Sequence, residues 1–195
     1  RYILDYLLEE VLQSQPLAVQ RFLLLTSPLP RLCGPLCDAV LAAAGDLAPS
    51  PPPASAALLA ELERANVLLV PLDEARHWYR YHHLFADLLR ARLQAMQGGL
   101  EASLHAAAAA WLEEHGFTAE AVDAALAAGD GQRAARLVEQ NTVTLLAAGE
   151  LGTLLGWIGA LPPAVRRQRP ALCIQQAYAL AFAGQLAEAA AALDL

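Results

Sequence analysis

Apolar residues recur every three to four positions through most of the chain, which is the spacing of an amphipathic helix. Four short helices are predicted in the first third of the sequence, over 2–13, from Pro16, from Gly34 and Pro35, and from Ser55 to about Asn66. Ser55 is the predicted N-cap of the fourth helix, because its hydroxyl can accept a hydrogen bond from a free first-turn amide. The proline-rich residues 48–53 cannot continue a helix and are predicted to form an exposed loop.

The spacing changes to that of a β-hairpin between Val67 and Tyr81. Residues 67–72 are rich in strand formers, 73–76 form a polar turn, and 78–81 make an aromatic second strand. A helix that begins with paired histidines follows at once. Helices, a hairpin and a last helix occur in this order in a winged helix, which is therefore predicted for residues 1–97.

Beyond the paired glycines at 98 and 99 the pattern is helical to the end of the sequence. Helix pairs are predicted at 100–115 with 118–128, at 132–148 with 151–161, and at 170–183 with a helix from Gln185 onward. The motif Gly-x-x-Ala-Glu-Ala begins at both Gly116 and Gly184, which lie 68 positions apart, twice the tetratricopeptide period of about 34 residues. Residues 98–195 are therefore predicted to form an arm of tetratricopeptide-like helix pairs, so that the whole chain is mainly α with one hairpin. Because a helix pair cannot bury its apolar face alone, the last pair is expected to expose apolar surface.

The charge and composition restrict the classes of partner. The net charge is −7 and all 13 basic residues are arginine, whereas surfaces that bind nucleic acid without sequence preference are usually basic. DNA binding by the chain itself is therefore not expected. No apolar run approaches the roughly 18 residues that span a bilayer, and the first residues lack the pattern of a signal peptide. A cytoplasmic protein with no membrane partner is predicted. Since the sequence does not begin with Met and stops within a helical pattern, it is expected to be a piece of a longer polypeptide.

Several motifs resemble one known family. The most specific is Trp78-Tyr79-Arg80-Tyr81-His82, with Leu84-Phe85 after it, and others lie at 6–12, 21–27, 36–40, 124–130 and 161–163. Together they resemble the large ATP-dependent LuxR-family transcriptional regulators, the MalT-like group of STAND NTPases. The resemblance implies a parent protein in which a module that binds ATP or ADP precedes the winged helix and the helical arm, and a DNA-binding helix-turn-helix follows them.

That arrangement implies the partners of this chain. They are the NTPase module of the same polypeptide and an effector on the helical arm, either a small molecule or a regulatory protein. DNA is contacted only through the separate helix-turn-helix domain. The alternative is a free-standing helical-repeat scaffold that binds a protein partner and has no link to nucleotide.

The resemblance also assigns a role to His82. Tyr81-His82-His83-Leu84 aligns with the Met-His-Asp motif of switch NTPases, whose histidine contacts the phosphates of bound ADP. The N–H of an imidazole can donate such a hydrogen bond. His83 stands where the motif has Asp, so no carboxylate role is carried over. The alternative is that His82 and His83 only cap and pack the last helix of the winged helix.

Three further sets of residues suggest other chemistry. A histidine-based metal site would use residues of the hairpin, which is the wing of a winged helix, and of the helix that follows it. These residues are His77, His82, His83, Asp73, Glu74 and Asp87. Contacts to DNA phosphates would use Arg76, Arg80, Arg90 and Arg92. Contact with an effector or partner is predicted for Arg166, Arg167 and Arg169, which follow the break at 161–163. The thiols Cys33, Cys37 and Cys173 are too few for a disulfide framework and are predicted to be buried.

Catalysis by the chain itself is not expected. The sequence has no lysine, and a phosphate-binding loop that ends in Gly-Lys-Ser or Gly-Lys-Thr requires one. The chain is therefore predicted to be no enzyme and to need no cofactor of its own, while ATP and ADP belong to the parent protein.

Overall fold

A computed structural model describes residues 9–49, 54–96 and 99–193. The chain divides into two compact units, Arg1–Trp111 and Leu112–Leu195. The predicted boundary at 97–98 lies outside the described residues and stays a prediction. In the described part of the chain, no helix combines the length and the apolarity that a membrane crossing requires.

The first unit contains helices and one hairpin. Its elements are α1 (Leu17–Thr26), α2 (Gly34–Ala43), a 3-10 turn (Gly45–Leu47), α3 (Ser55–Arg64), β1 (Leu69–Pro71), β2 (Tyr79–Tyr81), α4 (His83–Met96) and the larger part of α5 (Leu100–Glu114). Helix α1 packs against α2 and α4, and α2 packs against α3. The predicted apolar faces meet in one core, in which Phe22, Leu36, Leu59 and Phe85 are almost fully buried.

The hairpin confirms the predicted wing. Strands β1 and β2 are antiparallel, with Leu69 opposite Tyr81 and Pro71 opposite Tyr79. Successive side chains of a strand point to opposite faces, so Tyr79 and Tyr81 are buried while Arg80 is exposed. Leu32, just before α2, forms two hydrogen bonds of 2.8 and 2.9 Å with the backbone of Tyr79. The hairpin is thereby joined to the helical core.

Two local predictions in this unit are wrong. Ser55 is not the N-cap of α3, because Ala54 occupies that position and makes no side-chain cap bond. The Ser55 hydroxyl is buried and has no hydrogen-bond partner among the described residues. The loop at 48–53 is not exposed throughout, since Pro49 is buried; its apolar ring has no N–H to satisfy. Residues 50–53, like most of the helix predicted at 2–13, lie outside the described residues, although 9–13 are helical.

The second unit begins within α5 and continues as paired helices. They are α6 (Thr118–Ala127), α7 (Gly131–Ala148), α8 (Leu151–Ala160), α9 (Pro163–Arg167), α10 (Pro170–Phe182) and α11 (Leu186–Leu193). Helix α6 packs on α7, α7 on α8, and α10 on both α8 and α11. The predicted helices therefore form with ends within about two residues, but α9 was not predicted, because the break at 161–163 was expected to be a turn.

The glycines of the repeated motif end the first helix of a pair. Gly184 has φ of +78°, and the amides of Gly184 and Gln185 donate to the carbonyls of Ala181 and Leu180. This is the Schellman arrangement, which favours glycine because the left-handed region strains other residues. Gly116 has the same conformation and equivalent bonds. The motif thus marks a tight turn between two helices, and its assignment to the tetratricopeptide class stays a prediction.

Apolar side chains remain uncovered on α10 and α11, as predicted for the last pair. Tyr178 is 60% exposed and Phe182 is 75% exposed. Ile174, Leu186 and Leu193 are also exposed, and Ile174, Tyr178 and Leu193 line one open cavity of this helix pair.

Candidate functional site

His82 lies at the junction between β2 and α4, and its backbone is held from both sides. Its amide donates to the carbonyl of Leu68 over 2.7 Å, and its carbonyl accepts the amides of Phe85 and Ala86, each at 2.9 Å. The main chain of His82 therefore both closes the hairpin and begins α4. The imidazole takes no part in either task.

The side chain of His82 is half-buried and borders solvent. Its ring lies 4.4 Å from the ring of His83, with 33° between the planes, and His83 itself is exposed. Within the described ranges, the imidazole makes no hydrogen bond or ion pair with any other side chain. The hydrogen bonds that begin α4 use the backbone of His82, so the side chain keeps its hydrogen-bonding capacity.

A buried hydrogen-bond chain fixes the residue before His82. The hydroxyl of Thr26 donates to the carbonyl of Phe22 over 2.7 Å, so the hydroxyl of Tyr81 must donate to Thr26, 2.7 Å away. Burial raises the pKa of Tyr81 well above its ordinary value, so the phenol stays neutral. Tyr81 also meets Phe85 edge to face, with 6.1 Å between centroids. Both ends of the β2 to α4 junction are therefore anchored in the core.

Backbone strain accompanies this junction. Leu68, whose carbonyl holds the His82 amide, has φ of +48°, and the left-handed region costs a branched apolar residue about 1–2 kcal/mol. Two residues earlier, Asn66 has φ of +53° and ends α3 in a Schellman turn, in which Val67 donates to Leu62. The conformation of Leu68 could not be predicted from its residue type, because the hairpin imposes it against the residue's own preference.

The arginines of the wing are mostly paired inside the first unit. Arg76 lies 3.5 Å from Glu63, and Arg90 lies 3.0 Å from Asp87. Arg92 pairs with Glu9, whereas Arg80 is exposed on the outer face of β2. These pairings reduce the positive charge that the wing could offer to DNA phosphates.

The residues proposed for a metal site do not converge. Among the described residues, no three His, Cys, Asp or Glu side chains are grouped so that they could hold a metal ion. The Asp73 carboxylate instead accepts the backbone amide of His77 over 2.8 Å. Cys33 and Cys37 are buried free thiols, as predicted, but Cys173 is only half-buried.

The three arginines of the arm have different environments. Arg169 donates to Glu139 over 2.6 Å and to Gln132 over 2.9 Å, so it is occupied within the unit. Arg167 is exposed, and Nε of Arg166 is buried without a hydrogen-bond partner in the described chain. Arg166 and Arg167 line one small cavity of about 30 Å³, together with Ile158, Pro163, Leu172, Cys173 and Gln176.

Comparison with known proteins agrees with the first unit as described. Residues 8–101 match the family model for the MalT winged helix domain. The serine/threonine-protein kinase PknK of Mycobacterium tuberculosis and that of Mycobacterium bovis are each 34% identical to this chain over 190 residues, which is 97% of the chain and 16% of the kinase. The HTH-type transcriptional regulator MalT of Klebsiella pneumoniae is 31% identical over 178 residues, which is 91% of the chain and 19% of that protein.

The chain thus spans less than a fifth of the length of these curated relatives. Its similarity to both of them extends well past the winged helix into the paired helices. Residues 8–101 therefore form a winged-helix domain of the MalT kind, and the whole chain is similar to a segment that a transcriptional regulator and a protein kinase have in common.

Proposed function

We propose that this chain is the switch and sensing segment of a LuxR-type ATP-dependent transcriptional regulator. In this function it couples the nucleotide state of an NTPase module, and the binding of an effector or partner, to a DNA-binding domain elsewhere in the same polypeptide. The segment itself performs no catalysis. ATP and ADP are ligands of the parent protein.

The observation that carries the proposal is the pair of relatives. One is named a kinase and the other a transcriptional regulator, yet the chain is 34% and 31% identical to them over nearly its whole length. Two proteins named for different activities are not expected to share the domain that performs either activity. A common regulatory element explains the similarity, and the net charge of −7 agrees with a segment that does not itself hold DNA.

His82 is the proposed contact to ADP. Its backbone is fixed by three hydrogen bonds of 2.7–2.9 Å. Its imidazole forms no hydrogen bond or ion pair within the described ranges. A hydrogen bond to a charged group contributes about 1.5–3 kcal/mol, whereas moving a switch from 1:99 to 99:1 takes about 5.5 kcal/mol. His82 would therefore bias the switch without setting it. Burial between modules and an effector on the arm would supply the remainder.

The arm is the proposed site of effector or partner contact. Arg166 and Arg167 stay candidates, because neither forms an ion pair within the described second unit and both line one cavity. Arg169 is better explained as a structural residue, since Glu139 and Gln132 already accept its hydrogen bonds.

The test is the variant His82→Ala in the full-length protein, with ADP affinity measured by calorimetry and basal transcription measured with a reporter. Loss of about 1.5–3 kcal/mol corresponds to roughly 10-fold to 150-fold weaker ADP binding, and basal transcription should rise. His83→Ala is the matched control, because the neighbouring ring is exposed and should leave ADP affinity within about 2-fold. Unchanged ADP affinity in His82→Ala would remove the assignment.

A helical-repeat scaffold is the second candidate, and the exposed apolar side of α10 and α11 favours it. The two functions differ in what is encoded beside this segment. A phosphate-binding loop upstream in the same reading frame would support the switch, and a reading frame without one would support the scaffold.

A further inference from the structure

A groove of about 360 Å³ lies in the first unit, where the N-terminal ends of α2 and α3 meet the turn end of the hairpin. Its size falls within the range of about 300–1,000 Å³ that is usual for small-molecule sites. It is distinct from the His82 junction, because its hairpin residues, Arg76 to Tyr79, precede that junction and His82 does not line it.

Two indole rings form one side of the groove. Trp78 and Trp111 meet edge to face, with 6.4 Å between centroids and 72° between planes. The guanidinium of Arg31 lies 3.9 Å from the centroid of the Trp78 ring, which restrains the orientation of that indole. Both tryptophans are only half-buried. Exposed indole edges held in a fixed arrangement provide a site for a flat aromatic ring.

Two helix N-termini and two basic residues also line the groove. The N-terminal ends of α2 and α3 converge there, and neither N-cap residue makes a side-chain cap hydrogen bond. Helix N-termini favour anions because their first amides have no partner within the helix. Arg76 and His77 line the groove, while no Asp or Glu is among its described lining residues. Arg76 remains 63% exposed although Glu63 lies 3.5 Å away.

The close approach of the two helices brings these N-termini together. A Cβ on Gly34 would lie 2.7 Å from Cβ of Ala56 and 3.0 Å from its backbone N. Next to Ala56, Ser55 is 0% exposed and its hydroxyl has no hydrogen-bond partner among the described residues. A buried polar group without a partner is costly. Ser55 does not itself line the groove, but it directly precedes the lining residue Ala56 in the first turn of α3.

We propose that this groove binds a small aromatic anion, with the ring against Trp78 and Trp111 and the carboxylate or phosphate near Arg76, His77 and the two helix N-termini. The ligand class follows from the combination of the two indoles with the Arg76 guanidinium, the His77 imidazole and the two helix N-termini. The proposal is independent of nucleotide sensing at His82.

The test uses the 195-residue chain with the indole N–H groups of its tryptophans labelled with ¹⁵N. Each probe is added stepwise, and the shifts of the indole signals are followed by NMR. The probes are 2-naphthoate, the neutral 2-naphthalenemethanol and the non-aromatic cyclohexanecarboxylate. We expect 2-naphthoate to shift the indole signals of Trp78 and Trp111 and to leave Trp157, which lies in the second unit, unchanged. It should bind at least about 10-fold more tightly than either of the other probes.

Variants separate the contributions of charge and ring. Arg76→Gln should weaken 2-naphthoate at least about 5-fold and leave the neutral alcohol unaffected, while Arg80→Gln, on the outer face of β2, is the matched control. His82→Ala should leave 2-naphthoate binding unchanged, which keeps this test separate from that of the ADP contact. Equal affinity for 2-naphthoate and the alcohol, or an equal shift of Trp157, would overturn the proposal.

Discussion

The variant Gly34→Ala tests the close contact between α2 and α3 in the first unit. The added Cβ would lie 2.7 Å from Cβ of Ala56 and 3.0 Å from its Cα and N. The two nearest backbone atoms cannot swing away as the end of a flexible side chain does, so α2 and α3 must separate. Overpacking of this kind costs about 1–3 kcal/mol. Alanine gains up to about 1 kcal/mol over glycine in a helix interior and less in the first turn.

The expected net loss is therefore about 1–2 kcal/mol, or roughly 5–15 °C in Tm for a unit of this size. Unfolding in guanidinium chloride should be followed by tryptophan fluorescence in a Trp157→Phe background, so that only Trp78 and Trp111 report. Gly152→Ala in α8 is the control, since nothing lies within 4 Å of its added Cβ. It should be neutral or stabilise by up to about 1 kcal/mol when followed by circular dichroism.

A double-mutant cycle with Ala56→Gly isolates the contact between the two Cβ atoms. Ala56→Gly alone removes a helix-favouring residue and should cost up to about 1 kcal/mol. Combined with Gly34→Ala it removes the 2.7 Å contact, so the pair should show a favourable coupling of about 0.5–3 kcal/mol. Additive single effects, or a Gly34→Ala protein as stable as the parent, would refute the proposed crossing.

Three further predictions concern buried or paired polar groups. Thr26→Val should cost about 1–3 kcal/mol, because the Tyr81 hydroxyl loses its buried acceptor, and adding Tyr81→Phe should recover part of that loss in urea unfolding. Burial is the largest cause that raises the pKa of the Cys37 thiol well above its usual value, and the neighbouring Cys33 and Asp38 raise it further. As pH rises, the unfolded chain therefore loses the Cys37 proton before the folded chain does. The free energy of unfolding of the first unit should fall as pH rises past about 8.5, and its dependence on pH should be weaker in Cys37→Ala. The Arg136 guanidinium lowers the pKa of Glu113, so the second unit should lose stability as pH falls below about 4.3, and Glu113→Gln should reduce that acid-side slope in circular dichroism.

Features set by local spacing could be predicted from the sequence. The hairpin is predicted by the strand formers at 67–72, the polar turn at 73–76 and the aromatic residues at 78–81. Glycines at Gly116 and Gly184 mark helix ends, because a left-handed residue is required there. These signals involve only near neighbours along the chain, and they located the elements to within about two residues.

Features that depend on long-range contacts could not be predicted. Ser55 is a favourable N-cap residue by type, yet α3 begins one residue earlier than a cap at Ser55 would allow. Leu68 adopts φ of +48° because the pairing of β1 with β2 holds it there. The groove lined by Trp78 and Trp111 is formed by residues far apart in sequence, so no sequence motif predicts it.

For the proposed switch, pairing, and not residue type, separates the functional candidates of the arm and of the β2 to α4 junction from structural residues. Arg169 and Arg166 come from the same short segment, but Arg169 is bonded to Glu139 and Gln132, whereas Nε of Arg166 is buried without a described hydrogen-bond partner. His82 presents the same contrast within one residue, since its backbone is hydrogen-bonded and its imidazole forms no hydrogen bond with the residues that the structure describes. Substitution of Arg169 should change stability and leave binding unchanged, while substitution of His82 should do the reverse. Measurement of both quantities for Arg169→Gln and His82→Ala would therefore test the distinction on which the proposed switch depends.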